Sequence, residues 1–346
     1  MIGCKYGTHR AVEPKGSLPQ AALKISNDID VIYDNEILID VIALNIDSAS
    51  FTQLKEKAGR DIEKIKTNIL GIVNKRGKMQ NPVTKSGGML IGRIEKMGEA
   101  LNGKNDLKVG DKIATLVSLS LTPLKIEKIL SVKLDIDRVD IKGKAILFES
   151  GIYAKLPDDM EETLALAVLD VAGAPAQTAK LVKPGQSVMI LGASGKSGML
   201  CSFEAMKRVG PTGKVIGVEK IEKNRKKLEK MGLCHEVVIA DAQKPFEVLD
   251  RVLKVNGGKE VDIAINCVNV PNTEMSTILP VKDEGIGYFF SMATNFTKAS
   301  LGAEGVGKDV TMIMGNGYTK GHAKIALQEL RENKTLWKVF EGLYAK

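Results

Sequence analysis

The stretch VMILGASGKSGML, residues 188–200, sets an apolar run against three glycines, a lysine and two serines. Such a loop can wrap phosphate in one of two ways. Gly195-Lys196-Ser197 has the ending of a loop that cradles the terminal phosphates of a nucleoside triphosphate, but that loop needs a glycine where this chain has Ile190. The register that fits is Gly192-x-x-Gly195-x-x-Gly198. Here the first glycine permits a tight turn, the second lets backbone approach a pyrophosphate, and the third lets helix and strand pack closely. The helix that opens after the loop offers unpaired N–H groups and a partial positive charge to the diphosphate.

A dinucleotide site also needs a grip on the adenosine ribose. Glu219 ends the next apolar run, 21 residues past Gly198, where a carboxylate can take the ribose hydroxyls. That acid favours NAD, because it would face the 2′-phosphate of NADP at close range. Lys220 and Arg225 soften the exclusion and leave NADP as a weaker alternative. Ser194, Lys196 and Ser197 are placed to reach phosphate oxygens, although a first-turn lysine can equally be a solvated one. Asp241, after a third apolar run, contacts adenine or caps the next helix. Cys267 lies beside the cofactor ribose or is a buried inert thiol. Ser291 and Met292, at the end of a later strand, line the nicotinamide side through backbone groups.

The elements that must position these groups can be read from residue 156 onward. LPDDMEETLALAVLDVAGAPAQTAKLV has helical apolar spacing to Val182, and strands are expected at SVMIL, 214–220, 236–241, 262–268, 285–294 and 309–315. Helices are expected between them in the stretch 192–210 that opens with the glycine loop, at 221–232 and at 245–257. This alternation predicts an α/β, doubly wound parallel sheet with helices on both faces. The last stretch, from Gly321, reads as one amphipathic helical tail. The first 150 residues read differently: strands at 35–46, 89–98 and within 105–120, and a helix over 61–78.

Composition bounds the function classes. With 346 residues, 44% hydrophobic and 27% charged, the chain has core enough for two domains. No apolar run approaches the roughly 20 residues of a membrane span, and the N-terminus shows no secretion signal. The net charge of +8 reads as a lysine-rich solvated surface, and an aromatic content of 4% leaves no stacking platform for nucleic acid. Cys4, Cys201, Cys234 and Cys267 stand far apart without a CxxC pair, which suits reduced thiols in a cytoplasm.

EILIDVIALNIDSAS, GRIEKMGEALNGKNDLKVGDKIA and LVKPGQSVMILGASGKSG together resemble the medium-chain dehydrogenase/reductase superfamily. That resemblance implies a GroES-like β domain over 1–155 that holds substrate, a Rossmann domain over 156–320 and a helical tail over 321–346. More narrowly, GCKYGTHRAVEPKGSLPQ and GASGKSGM are similar to the L-erythro-3,5-diaminohexanoate dehydrogenases. Those enzymes oxidatively deaminate a small diamino acid to 5-amino-3-oxohexanoate, ammonium and NADH in anaerobic lysine degradation. The zinc ligands of the wider superfamily fall here on Asp47, on Gly87-Gly88-Met89 and near Ala167, so the resemblance is to its zinc-independent branch, with no metal.

The resemblance also places Asp47 in the cleft that faces the nicotinamide, as base or as anchor for the substrate ammonium; the alternative is an N-cap for the helix that SASFTQLKEK suggests. Glu149 is a second candidate base. Asp170 and Arg93 are candidates for holding substrate, with Arg10 as another fork for its carboxylate. His9, His235 and His322 are too scattered for a metal. Relatives pair as homodimers through the Rossmann sheet edge. Two other readings stay open on these residues: a zinc-independent NADPH-dependent quinone or enoyl reductase, and a dinucleotide-binding protein without catalysis.

Overall fold

The computed structural model describes residues 1–315 and 317–345. The chain divides into two units, Met1–Asp158 and Asp159–Lys346.

In the first unit, β1 (Ala11–Glu13) and β2 (Lys24–Ile25) form a small antiparallel pair. The main strands are β3 (Glu36–Asn45), β4 (Met89–Met97), β5 (Lys112–Thr115), β6 (Leu124–Lys133), β7 (Arg138–Phe148) and β8 (Tyr153–Lys155). They make one antiparallel sheet in the order β6-β7-β3-β4-β5-β8. The register sets Glu36 opposite Phe148 and Asn45 opposite Arg138, so the ends of β3 are far apart. Two helices, α1 (Ser48–Ala58) and α2 (Ile62–Arg76), follow β3. Ile65, Ile69 and Val73 recur at one-turn spacing on α2 and are fully buried in one cluster with Ile39, Leu44, Phe51 and Leu54. Asp61 caps α2 by accepting from the Glu63 and Lys64 amides, and Gly77 ends it in the left-handed region at φ 72°.

The second unit runs α3 (Glu162–Leu169), α4 (Gly173–Leu181), β9 (Ser187–Leu191), α5 (Lys196–Val209), β10 (Lys214–Glu219), α6 (Glu222–Met231) and β11 (Glu236–Ile239). It continues with α7 (Pro245–Val255), β12 (Val261–Asn266), α8 (Glu274–Ile278), β13 (Val281–Phe289), α9 (Phe296–Gly305), β14 (Val310–Met314), α10 (His322–Glu332) and α11 (Lys334–Tyr344). The six strands are all parallel, in the order β11-β10-β9-β12-β13-β14. That is the doubly wound Rossmann order, whose direction reverses between β9 and β12. A parallel sheet is covered on both faces, and the run Val188–Leu191 is accordingly buried at every position.

Two expected helices are each broken in two. The apolar spacing over 156–182 predicts one helix, yet α3 stops at Leu169 and α4 starts at Gly173. Pro175 accounts for this: within a continuous helix its ring would meet the carbonyl of Val171, whereas in the first turn of α4 it is tolerated. The tail is likewise two helices. Asn333 ends α10 and caps α11, accepting from the Thr335 and Leu336 amides. No helix among the described residues is long and apolar enough to cross a membrane.

Candidate functional site: a dinucleotide cradle

The loop between β9 and α5 sits at the reversal of strand order, where open α/β sheets form their ligand crevice. Its three glycines are needed for three different reasons. Gly192 turns the chain at φ 80°, outside the range of most side chains. At Gly198 a Cβ would lie 2.1 Å from the Gly192 carbonyl oxygen, so helix and loop touch backbone to backbone. Gly195 has an ordinary φ of −69° as the N-cap of α5. A Cβ there would meet nothing nearer than the Gly192 oxygen at 3.4 Å, so the protein interior does not demand glycine. Its lack of a side chain keeps open the outer wall of the loop, which is where a pyrophosphate needs room.

The start of α5 is equally bare. Gly195 has no side chain with which to cap it, and no acidic residue occupies its first turn. The orphan N–H groups and the positive end of the helix are thus left for an anion. Ser197 lies in this turn, largely buried. Lys196 Nζ pairs with Asp170 Oδ2 at 2.9 Å, which sets that lysine at the rim.

Glu219 closes the cradle. It ends β10, is 6% exposed, and its Oε1 accepts from the Ser194 amide at 2.5 Å. One carboxylate at the end of β10 thus props the glycine loop through its backbone. The cations beside it are already engaged. Lys220 Nζ is 2.8 Å from Asp241 Oδ2, and this lysine holds the Asp241 carboxyl below its usual range. Arg225 lies along its own helix between Glu222 at 2.7 Å and Glu229 at 3.0 Å. Asp241 also accepts from the Gln243 amide, a local turn contact. Cys267 follows β12 with its backbone against Gly192. Ser291 and Met292 lie beyond the end of β13, and the Met292 side chain is exposed. A pocket that the sequence pattern did not suggest opens at the carboxyl ends of β13 and β14, lined by Gln177, Tyr288, Met314, Tyr318 and Thr319.

The first unit separates the candidates it carries. Asp47 follows the end of β3 and is the N-cap of α1: Oδ1 accepts from the Ser50 amide at 2.9 Å, and Oδ2 accepts from Ser86 Oγ at 2.8 Å. Ser50 and Thr84 extend this into a chain of hydroxyls, with Ser50 Oγ 3.0 Å from Ser86 Oγ and 2.5 Å from Thr84 Oγ1. The cluster escaped the sequence reading because serine and threonine hydroxyls carry no spacing signal of their own. Glu149, the second candidate base, lies apart from this cluster. It follows β7 at the Glu36 end of β3, roughly 30 Å along the strand from Asp47. Hydrogen bonds from Asn35 and then Lys104 hold its carboxyl below the usual range, which suits a structural acid better than a base.

Arg93 sits in mid-strand opposite Asp40, exposed, donating to the Gly110 carbonyl at 3.1 Å. It lies roughly 20 Å from Asp47 along the strand, beyond the reach of one six-carbon substrate. Arg10 is buried, and its Nε and Nη2 each donate to Glu36 at 2.6 Å, so the fork expected for a substrate carboxylate already holds an internal one. Asp170, expected to hold substrate, pairs with Lys196. Among the described residues, no three His, Cys, Asp or Glu side chains converge on a metal-sized site.

Residues 9–157 match the N-terminal domain of L-erythro-3,5-diaminohexanoate dehydrogenase. The chain is 71% identical over 344 residues to the L-erythro-3,5-diaminohexanoate dehydrogenase of Acetoanaerobium sticklandii, covering 99% of this chain and 100% of that one. The chain belongs to the L-erythro-3,5-diaminohexanoate dehydrogenase family. The enzyme of that name from Fusobacterium nucleatum is 70% identical over 342 residues, with 99% of each chain covered. Solved structures show the fold. The CurK enoyl reductase matches with a TM-score of 0.53 at 17% identity, over 86% of this chain and 79% of that one. A mycobacterial quinone oxidoreductase matches at 0.52 and 16%, over 86% and 78%. A diaminohexanoate dehydrogenase with a Rossmann unit takes a nicotinamide cofactor, and the open outer wall at Gly195, the bare helix start and Glu219 fit one.

Proposed function

We propose that this chain oxidises L-erythro-3,5-diaminohexanoate to 5-amino-3-oxohexanoate, with NAD in preference to NADP. Identity of 71% across the whole length to an enzyme of that name carries the reading. The overall change converts substrate, NAD and water into the oxo acid, NADH, ammonium and a proton. The bound nicotinamide supplies the hydride acceptor. Substrate arrives as an ammonium, and only the neutral amine has the lone pair that expels hydride, so a base must first take a proton. Asp47 is assigned to that ammonium, with the Ser86 hydroxyl holding its Oδ2 in place. Water then adds to the iminium carbon and ammonium departs.

The preference for NAD is supported by Glu219 at the ribose position and by the pairing of Lys220 with Asp241 and of Arg225 with Glu222. Both cations that could welcome a 2′-phosphate are already neutralised. A homodimer through the β14 edge is supported by exposed Phe296 and Leu301 on α9, the helix that covers that side of the sheet, and by exposed Val306 just after it. The free thiols of all four cysteines suit a reducing cytoplasm. Purified protein given NAD and the diamino acid should form NADH and ammonium in equal amounts. NADH without ammonium, or neither, would contradict the reaction, and a monomer in sedimentation would remove the dimer.

A further inference from the structure

Below the pyrophosphate loop, two thiols face one another. Cys267 Sγ lies 4.0 Å from Cys201 Sγ. Cys201 is fully buried on α5, and Cys267 is half-buried in the turn after β12. Cys267 is tied to the cofactor loop twice over. Its amide donates to the Leu191 carbonyl at 2.9 Å, immediately before Gly192, and the Ser197 hydroxyl lies against its sulfur. Ser197 and Cys201 are four residues apart, on one face of α5. The sulfur pair thus joins the helix whose first turn receives the pyrophosphate to the strand end that borders the same loop. The hydride-transfer reaction uses neither sulfur.

We propose that Cys201 and Cys267 form an oxidative modification site, at which a hydroperoxide converts the two thiols to a disulfide and weakens dinucleotide binding. The less buried member, Cys267, reacts first. Its sulfur attacks the terminal peroxide oxygen, the O–O bond breaks, and water or an alcohol leaves, giving a sulfenic acid on Cys267. Cys201 sulfur then attacks that sulfur, the S–S bond forms, the S–O bond breaks and water leaves. The thiols lose two electrons and two protons, and the peroxide takes up both. The two environments suit these roles. The sulfur–sulfur hydrogen bond with Cys201 holds the Cys267 thiol below its usual range, which favours the nucleophilic thiolate, while burial pushes Cys201 up. Closing the sulfurs to bonding distance pulls Cys267 from Ser197 and shifts the first turn of α5 against Gly192.

The test treats the full-length protein with hydrogen peroxide and follows NADH binding by fluorescence, with non-reducing peptide mapping of the product. The expected result is a linked Cys201–Cys267 peptide and an NADH Kd raised about tenfold, the scale of one lost hydrogen bond to a charged group. Dithiothreitol should restore the affinity. Cys201→Ser and Cys201→Ala should bind NADH as the parent does and keep that affinity through peroxide treatment. The proposal is overturned if the parent yields no linked peptide, if the link forms without a change in Kd, or if both variants lose affinity as the parent does. None of these outcomes depends on which amine the enzyme oxidises.

Discussion

Glu219 holds the glycine loop through the Ser194 amide, and the proposed NAD preference gives it a second task that mutation can pull apart from the first. Gln at this position keeps an oxygen for the Ser194 amide but removes the charge. Glu219→Gln should therefore lower the preference for NAD over NADP by about tenfold or more, since a carboxylate a few ångströms from a phosphate is strongly repulsive. Glu219→Ala should also weaken NAD itself by about 1–3 kcal/mol, through loss of the acceptor that holds the loop. Kinetics with both cofactors checks this, and an unchanged preference in Glu219→Gln would mean that the acid does not meet the ribose. At Asp47 the same logic applies. Asn still caps α1 through the Ser50 amide, so Asp47→Asn should melt near the parent while turnover falls by about two orders of magnitude. Full turnover in that variant would leave Asp47 as a cap alone. Single-residue roles were the least legible part of the sequence. Arg10 and Glu149 have the right chemistry for a ligand, but Glu36 and Lys104, which are distant in sequence, had already claimed them.

At the scale of the element, the turn from β9 into α5 makes the sharpest claim. Gly195→Ala and Gly198→Ala add the same methyl group three residues apart, with opposite expected outcomes for folding. At Gly198 the methyl meets backbone at 2.1 Å and 2.8 Å, so the helix must move and the protein should lose about 1–3 kcal/mol of stability together with cofactor affinity. At Gly195 the methyl fits within the protein, so the melting temperature should hold while NADH binding weakens. Thermal melting and NADH titration on both variants decide it; a stable Gly198→Ala with parental affinity would refute the close-packing role. The elements around this turn were readable because a strand, a glycine turn, a helix and a second strand each leave a distinct period. The β6–β7 hairpin was not, because its sequence mixes lysines with apolar residues on a sheet with one solvated face. The five-residue α8 and the glycine-bearing α9 were too short or too weakly patterned to register. The break at Pro175 was legible in principle, and the apolar spacing on either side masked it.

Across the whole molecule, the alternation of strands and helices was enough to place the parallel sheet, but not to say how the tail packs. The C-terminal helix α10 brings Glu329 into the interior, fully buried, with no hydrogen-bond partner for either carboxylate oxygen among the described residues. Its charged neighbours are Glu204, held by Arg208 at 2.7 Å and Lys207 at 3.1 Å, and Glu332, which also binds Lys207. Burial pushes the Glu329 pKa well above its ordinary value, with the Glu204 charge adding to it. The folded state therefore keeps a proton that the unfolded chain gives up at lower pH. Stability from this group is fully present below the ordinary carboxylate range and is lost as pH rises through the raised pKa. Glu329→Gln removes that titration, so its melting temperature should fall less than the parent's between about pH 5 and pH 8. Parallel curves for the two proteins would show that Glu329 titrates normally.

The most direct measurement is a coupled turnover assay on the purified protein with L-erythro-3,5-diaminohexanoate and NAD, following NADH by absorbance and ammonium by a linked enzyme. One NADH per ammonium released, with slower turnover on NADP, is the predicted result. A protein inert toward this diamino acid but able to reduce quinones with NADPH would contradict it.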